Sequence, residues 1–397
     1  MKLFSSSRFE QVTLGECGQI VTGSTPSKTN DAYWNGDIPF VTPAQLGHHT
    51  PVVKAQEYLT DSGAKRARLL PEGAVLICCI GSLGKTGIAG TPLVTNQQIN
   101  AIVFDSDRVD AKYGFYVAKN LTPLLEHYAP STTVKIVKKS AFAEFSIPLP
   151  PLPEQKRIAQ ILDAADALRA KRRESIAQLD ALVQSTFLEM FGDPKINPMS
   201  WPVEPLSHVV AQLKGGKNIA ESETTTDFKV LKVSAVTSGI FRPNESKYLP
   251  ADFSVPDSYI VKAGDLLISR ANTTELVGAT AYVWETPENI ALPDKLWRVE
   301  MKNNSQIEPL FLFVLSRGRH FRSMLSERAS GTSGSMRNIS KPKLLSTPII
   351  LPPVALQIRF TSVVRSIQTQ KSLLQTHLSE LNTLFASLQS RAFNGEL

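Results

Sequence analysis

The sequence IPLPPLPEQKR at residues 147–157 has a second version, IILPPVALQIR, at residues 349–359. The separation of 202 positions then holds without a gap through about forty residues after each stretch. Near the start of each half the separation falls to 192 and 191, so that Gly73–Ile77 corresponds to Gly264–Ile268. Self-similarity on this scale indicates a tandem duplication. The chain therefore carries two globular parts that have diverged, each followed by a segment of constant length.

The segment of constant length has the pattern of a long amphipathic helix. Apolar residues recur every three or four positions over Ile158–Met190 and again over Phe360–Leu388, which is the spacing of a coiled-coil seam. Pro153 suits the first turn of such a helix, and Gly192 and Gly395 suit the end of each copy. A single apolar seam has to be buried, and the equivalent helix in the other half is the expected partner. The alternative is that each helix packs only on its own globular part.

The globular parts, at about residues 1–148 and 201–350, are predicted to be β-rich with a few short helices. Short apolar runs bounded by Gly, Pro, Asn or Asp are typical of strands, and they lie at Val75–Ile80, Ile99–Phe104, Phe228–Val233, Leu266–Ser269 and Ala279–Val283. Short helices are predicted at Tyr113–Tyr128 and Pro309–Glu327. A length of 397 residues fits two or three domains of ordinary size.

The composition fits a protein of a reducing compartment. The longest apolar run, Ala74–Ile80, is far too short to span a bilayer. The first eight residues lack the apolar stretch of a signal peptide. Three cysteines, two of them adjacent, make no disulfide framework. We therefore expect a cytoplasmic protein with no membrane segment.

No catalytic motif emerges from the sequence. Gly81–Thr86 resembles the end of a phosphate-binding loop, but Cys79 stands where that motif needs its first glycine. Cys78 and Cys79 lack partner ligands at zinc spacing, so we expect buried strand cysteines and no metal site. Neither a glycine-rich cofactor fingerprint nor the Asn/Asp-Pro-Pro-aromatic tetrapeptide of amino-methyltransferases is present. A single-chain methyltransferase or nuclease with a site assembled from distant residues remains an alternative, as does a coiled-coil scaffold that binds only protein.

The charge distribution favours nucleic acid as a partner. Lys and Arg outnumber Asp and Glu by 43 to 36, a net charge of +7, and a mild basic excess favours nucleic acid as partner. Cations recur at the same place in both halves, just before each long helix, as Lys135, Lys138 and Lys139 and as Arg337, Lys341 and Lys343. Recurrence favours contacts to DNA phosphates, which position a duplex without reading it. The alternative is that these are solvated lysines on a turn.

At these residues the chain resembles the specificity subunits of type I restriction–modification systems. The resemblance rests on Thr22–Ser27, on Tyr33-Trp34 and Asp37–Pro39 downstream, and on Ile147–Gln155 leading into a long helix. The second half repeats the pattern more loosely. Leu356 replaces the counterpart of Glu154, and the threonine-proline loop is reduced to Lys214-Gly215-Gly216-Lys217. The resemblance covers essentially the whole chain.

The resemblance implies an α+β fold with a pseudo-two-fold internal repeat. Two mixed, β-rich target-recognition domains, expected at residues 1–152 and 193–350, each read one half of a bipartite, asymmetric site on double-stranded DNA. Two spacer helices, expected at residues 153–192 and 351–397, pair as an antiparallel coiled coil onto which two methyltransferase subunits dock, and restriction subunits add to that core. The chain itself is expected to be non-catalytic and to bind no cofactor or metal. S-adenosylmethionine, ATP and Mg²⁺ would be bound by the partner subunits.

The predicted DNA contacts combine the recurrent cations with polar residues of four loops. These loops, at Gly23–Lys28, Gly81–Lys85, Arg270–Thr274 and Gly331–Arg337, are expected to determine the sequence choice. The candidate contact residues are Ser24, Thr25, Lys28, Lys85, Lys135, Lys138, Lys139, Lys217, Arg270, Asn272, Arg337, Lys341 and Lys343.

Overall fold

The fold is described from a computed structural model of the chain. The structure describes residues 3–4, 7–129, 134–219, 225–303, 305–331 and 337–397. The chain forms two compact units. Unit 1 comprises Met1–Ile176 with Leu373–Leu397, and unit 2 comprises Ala177–Ser372.

Unit 1 is built from two four-stranded sheets and short helices. Its strands are β1 (Gln11–Thr13), β2 (Gly18–Thr22), β3 (Trp34–Val41), β4 (Glu57–Leu59), β5 (Leu69–Leu70), β6 (Val75–Cys78), β7 (Thr86–Ile88), β8 (Leu93–Thr95), β9 (Ile99–Phe104) and β10 (Ser146–Pro148). Its helices are α1 (Leu14–Cys17), α2 (Asp61–Arg66), α3 (Ala111–Asn120), α4 (Thr122–His127), α5 (Lys139–Ala143) and the start of the long α6 (Leu152–Phe191), and 3-10 turns lie at Asp31–Tyr33 and Pro43–Gln45.

The first sheet of unit 1 has the antiparallel order β2-β9-β6-β7, and the second has the order β4-β3-β8-β5 with β3 and β8 parallel. Strand β1 pairs with β10. The continuous apolar run Val75–Cys78 is fully buried in the middle of the first sheet, as expected for a strand covered on both faces. Its core continues into Ile158 and Leu162 of α6.

Unit 2 follows the same plan. Its strands are β11 (Val203–Pro205), β12 (Val210–Gly215), β13 (Lys229–Leu231), β14 (Ser246–Tyr248), β15 (Leu266–Ser269), β16 (Ala271–Asn272), β17 (Thr280–Tyr282), β18 (Ile290–Ala291), β19 (Leu296–Met301), β20 (Arg337–Asn338) and β21 (Pro348–Ile350). Its helices are α7 (Ser234–Thr237), α8 (Pro309–Arg317), α9 (Arg319–Arg328), α10 (Lys341–Leu345) and the start of α11 (Val354–Asn394), with 3-10 turns at Leu206–His208 and Asp257–Tyr259.

The sheets of unit 2 reproduce those of unit 1. The order β12-β19-β15-β17 matches β2-β9-β6-β7. The three-stranded order β14-β13-β18 matches β4-β3-β8, three of the four strands of the second sheet of unit 1, and the pairs β13-β18 and β3-β8 are both parallel. The pair β11-β21 matches β1-β10, and β16 pairs with β20. Four phenylalanine rings from α6, α8 and α11 pack in the core of this unit, with the Phe191 and Phe311 centroids 4.9 Å apart. The shared topology confirms the internal repeat at the level of the fold.

The two long helices α6 and α11 are confirmed and run antiparallel. In unit 1 the Nε of Arg169 donates to Oδ1 of Asn382 over 2.8 Å. In unit 2 the Nζ of Lys371 donates to Oδ1 of Asp180 over 2.6 Å. A shift of 202 positions converts Arg169 into Lys371 and Asp180 into Asn382, so each hydrogen bond is the counterpart of the other. Two equivalent helices that pair antiparallel about a two-fold axis have this relation. The helices end at glycines with positive φ, Gly192 at +75° and Gly395 at +77°, the expected geometry of a helix terminator.

A buried glutamine fastens the start of each long helix to its globular part. The Gln155 Nε2 donates to the carbonyl oxygens of Pro150 and Arg108, both at 2.8 Å, and its Oε1 accepts from the Asp110 N–H at 2.8 Å. Gln357, its counterpart in unit 2, makes the same three hydrogen bonds, to the carbonyl oxygens of Pro352 and Gln306 and from the N–H of Glu308. Both side chains are completely buried. The duplication has therefore preserved this joint.

Both of the short helices predicted in the globular parts are broken into two. The segment predicted as Tyr113–Tyr128 forms α3 and α4, and Pro123 explains the break because it has no N–H to continue the helical hydrogen bonds. The segment predicted as Pro309–Glu327 forms α8 and α9, which are separated by an extended Gly318. Within the described part of the chain, none of the helices combines the length and the apolar character needed to cross a membrane.

Candidate nucleic-acid interface

In unit 1 the polar segment Thr95–Gln98, which runs from the last residue of β8 to the start of β9, brings the predicted loops together. The Ser24 N–H donates to the Thr95 carbonyl at 2.9 Å, and the Thr25 hydroxyl donates to Oε1 of Gln97 at 2.7 Å. Glycine is required at position 23, because a Cβ there would overlap the carbonyl oxygens of Thr95 and Asn96. The loop Gly23–Lys28 is thereby held against this segment.

The loop Gly81–Lys85 and the first basic cluster join the same place through the end of β6. The Cys79 N–H donates to the Gln98 carbonyl at 2.8 Å, and the Val137 N–H donates to the Cys79 carbonyl at 2.9 Å. The Gly81 N–H donates to the Lys135 carbonyl at 2.9 Å. Segments that are far apart in sequence thus meet at one edge of the first sheet. We call this set, residues 23–25, 79–85, 95–98 and 135–137, loop platform 1.

Unit 2 repeats the arrangement with equivalent backbone hydrogen bonds. The Arg270 N–H donates to the Lys295 carbonyl at 3.0 Å, and the Ile339 N–H donates to the Arg270 carbonyl at 2.9 Å. Asn272 pairs with Arg337 in the β16-β20 ladder, where unit 1 has the bridge between Ile80 and Ile136. The Gly216 N–H donates to the Pro293 carbonyl at 2.9 Å. We call residues 215–217, 270–272, 292–295 and 337–339 loop platform 2.

The two platforms share a backbone frame but carry different side chains. Where platform 1 has the amides Gln97 and Gln98, platform 2 has the charged residues Asp294 and Lys295. Gln97 is exposed, and Oε1 of Gln98 accepts a hydrogen bond from the Asn96 amide at 2.9 Å. Amide, carboxylate and ammonium groups recognise different base edges: amides suit adenine, carboxylates suit cytosine and ammonium groups suit guanine. The arrangement can therefore present two different sets of hydrogen-bonding groups on one scaffold.

The predicted cations of unit 1 are mostly free. Lys85, Lys135, Lys138 and Lys139 are exposed, and no side-chain hydrogen bond or ion pair joins them to the described residues. Lys28 differs, because its Nζ lies 2.5 Å from Oε1 of Glu57 and 4.9 Å from the centre of the Trp34 ring. A phosphate would therefore compete with Glu57 for Lys28, whereas the other four lysines carry uncompensated charge.

The predicted cations of unit 2 are more engaged. The Arg337 guanidinium donates to the Ala329 carbonyl, and Lys343 Nζ donates to the Arg328 carbonyl at 2.9 Å, so both stabilise the negative C-terminal end of α9. Arg270 lies 3.5 Å from a carboxylate oxygen of Asp294. Lys217 and Lys341 are exposed. Residues 332–336 of the predicted loop Gly331–Arg337 lie outside the described residues.

Residues Thr95–Gln98 and Pro293–Lys295 were missed by the sequence reasoning. The available signal was a polar run directly between two buried strands, β8 and β9, where Gln97 is exposed. In the sequence such a run looks like an ordinary turn. It becomes the centre of loop platform 1 only because segments distant in sequence form hydrogen bonds with it. The DNA contacts predicted from the sequence, including Ser24, Thr25 and Asn272, stay predictions.

The described residues hold no cluster of three or more His, Cys, Asp or Glu side chains that could bind a metal ion. All three cysteines are buried. Burial raises the pKa of the Cys79 thiol to about 12, which leaves it protonated at neutral pH and poorly nucleophilic. Lys85 is exposed on the turn after β6, as expected for a lysine in a simple strand-to-turn segment.

Comparison with known proteins points to one family. The family model described as "Type I restriction modification DNA specificity domain" matches residues 6–179. The chain is 26% identical over 389 residues to the MjaVIII specificity subunit of Methanocaldococcus jannaschii, an alignment that covers 90% of this chain and 86% of the relative. It is 27% identical over 229 residues to the MjaIX specificity subunit of the same organism, covering 52% of each chain. With the EcoKI specificity subunit of Escherichia coli K12 it shares 27% over 280 residues, 66% of this chain and 60% of the relative.

Solved structures share the fold along the whole chain. The type I restriction–modification S subunit from M. genitalium superposes with a TM-score of 0.58 at 16% identity, covering 99% of this chain and 98% of the other. A chain from a structure of type I restriction–modification complex assembly gives 0.52 at 17% identity, with 98% of both chains covered. Residues 6–179 therefore match a type I restriction–modification specificity domain, and the chain has the fold of the S subunits of these systems along its length.

Proposed function

We propose that the chain selects the DNA sequence on which a type I restriction–modification complex acts, with each loop platform reading one half of a bipartite, asymmetric site. The observation that carries the proposal is that the two platforms share their backbone hydrogen bonds but differ in their side chains. Equivalent backbone hydrogen bonds hold platforms 1 and 2, yet Gln97 and Gln98 correspond to Asp294 and Lys295. Divergence of the side chains on a common frame is expected when two readers recognise different base sequences.

The long helices are proposed to set the spacing of the two half-sites and to dock two methyltransferase subunits. Support comes from the repeated cross-helix hydrogen bonds, Arg169 with Asn382 and Lys371 with Asp180, which fix the register of α6 against α11. A spacer that measures DNA needs a fixed register, because slippage by one helical turn would change the separation by about 5.4 Å. Restriction subunits are proposed to join this core.

The chain is proposed to be non-catalytic. Methyl transfer from S-adenosylmethionine and ATP-dependent, Mg²⁺-dependent cleavage would then belong to the partner subunits. The protonated, buried cysteines fit a recognition subunit. A single-chain enzyme and a scaffold that binds only protein are the competing functions.

Gel-shift titration separates these functions. The chain is titrated with and without its methyltransferase partner, against genomic fragments and against random DNA of equal length. A specificity subunit gives selective binding in the complex, at low nanomolar protein and physiological salt. If the chain is a scaffold that binds only protein, the chain alone does not shift the DNA and the complex does not prefer genomic fragments over random DNA. A single-chain enzyme modifies or cuts the DNA without the partner.

A further inference from the structure

Unit 2 contains a lysine-lined cleft beside loop platform 2. The cleft has a volume of about 300 Å³ and is lined by Lys217, Lys232, Lys247 and Lys295, which come from four separate segments of the chain. The segment Pro293–Lys295 lines the cleft and also belongs to platform 2. Sequence reasoning singled out only Lys217, because the other three lysines are scattered in sequence.

The positive charge of the cleft is left largely uncompensated by its own residues. Asp294 lines the cleft, but its carboxylate lies 3.5 Å from the guanidinium of Arg270. Lys247 Nζ donates to the carbonyl oxygen of Ile219 at 2.8 Å, a bond that leaves its charge in place. Lys217, Lys232 and Lys295 make no side-chain ion pair within the described residues. Like charges gathered in one concavity repel each other and concentrate anions.

We propose that this cleft holds the sugar–phosphate backbone of one DNA strand beside the half-site read by unit 2. The inference rests on the proposed function. An ammonium group is a compact point charge on a flexible stem, which suits a phosphate better than the directional edge of a base. The four lysines around this one concavity therefore suit contacts to backbone phosphates that do not discriminate between bases. Unit 1 has the neutral Gln98 where unit 2 has Lys295. We therefore expect this backbone contact at the half-site bound by unit 2.

The test uses the full-length chain in complex with its methyltransferase partner. Binding is measured by fluorescence anisotropy over a series of salt concentrations, on a duplex with the methylated site of the complex and on a scrambled duplex. The variants are Lys232→Ala, Lys247→Ala and the double variant, because both lysines line the cleft but lie outside loop platform 2. Lys302→Ala is the matched control, because Lys302 is exposed like Lys232 but follows the far end of β19. Lys232→Arg keeps the charge.

Each lysine-to-alanine change is expected to weaken binding to both duplexes by a similar factor. The slope of log K against log salt should fall by about 0.9 for each phosphate that is no longer neutralised, and the double variant should show about twice that change. Lys232→Arg and Lys302→Ala should match the parent, and the methylated sequence should not change. Variants that bind like the parent would overturn the assignment, as would weakening confined to the specific duplex. If the parent complex fails to prefer its own methylated site, the proposed function is wrong instead.

Discussion

Replacing Gln155 by alanine should loosen the joint between α6 and the globular part of unit 1. The side chain is completely buried and makes three hydrogen bonds of 2.8 Å, two as donor and one as acceptor. All three partners are backbone groups, at Pro150, Arg108 and Asp110. Alanine removes the amide and leaves these groups without their partner.

The expected cost follows from that inventory. A hydrogen bond contributes about 1 kcal/mol net, and a buried group left unpaired costs about 1–3 kcal/mol. Three bonds therefore give a loss of about 3 kcal/mol or more in the free energy of unfolding of unit 1. For a unit of this size, 1 kcal/mol corresponds to about 2–4 °C. The melting temperature should accordingly fall by about 6–12 °C.

The measurement is differential scanning calorimetry on the full chain. Gln160→Ala is the matched control, because Gln160 lies on the same helix but is exposed, and its substitution should change stability by less than about 0.5 kcal/mol. Gln357→Ala removes the equivalent three hydrogen bonds in unit 2 and should cost a similar amount there. If Gln155→Ala has the same melting temperature as Gln160→Ala, the hydrogen bonds of Gln155 do not hold the start of α6 on the globular part.

Three further predictions concern DNA and the helices. Lys135→Ala, like Lys138→Ala, should weaken binding to all sequences and lower the salt slope by about 0.9 in an anisotropy titration. An unchanged slope would leave these lysines as solvated surface. Inserting four residues after Leu168 adds about 6 Å of helix and nearly a full turn, so methylation mapping should find about two more base pairs between the half-sites at ~3.4 Å per base pair. A two-residue insertion turns the apolar seam by roughly 200° and should prevent the two helices from pairing and the complex from assembling. An unchanged spacer in an active four-residue variant would show that the helices do not set the spacing of the half-sites. The purified chain with S-adenosylmethionine alone should transfer no methyl group to DNA in a tritium-incorporation assay, and transfer would show a hidden active site.

The repeat and the helices could be predicted because their signals are periodic. Gln155 and Gln357 lie 202 positions apart and make the same hydrogen bonds, and glycines end both helices where the pattern stops. Such features depend on spacing along the chain, which the sequence displays directly. The breaks at Pro123 and Gly318 were missed, because a local helical pattern does not show where an interruption is accommodated.

The loop platforms could be predicted only in part. The loops themselves were identified from their small and polar residues, but their meeting at Thr95–Gln98 depends on hydrogen bonds between segments far apart in sequence. Charge counting was similarly incomplete. Lys135 and Arg337 occupy equivalent positions, yet the first is exposed while the second donates to the Ala329 carbonyl. Equivalent positions in a repeat therefore need not keep equivalent surroundings.

If the proposed function holds, the two globular parts independently choose the two halves of a DNA site. The most direct measurement is to exchange residues 9–148 for the equivalent part of a relative, to express the hybrid with the same methyltransferase partner, and to map methylated positions across the host genome. One half of the methylated site is expected to change, while the other half and the spacer stay as in the parent. A hybrid that methylates a site altered in both halves, or one unchanged in both, would contradict the proposed function.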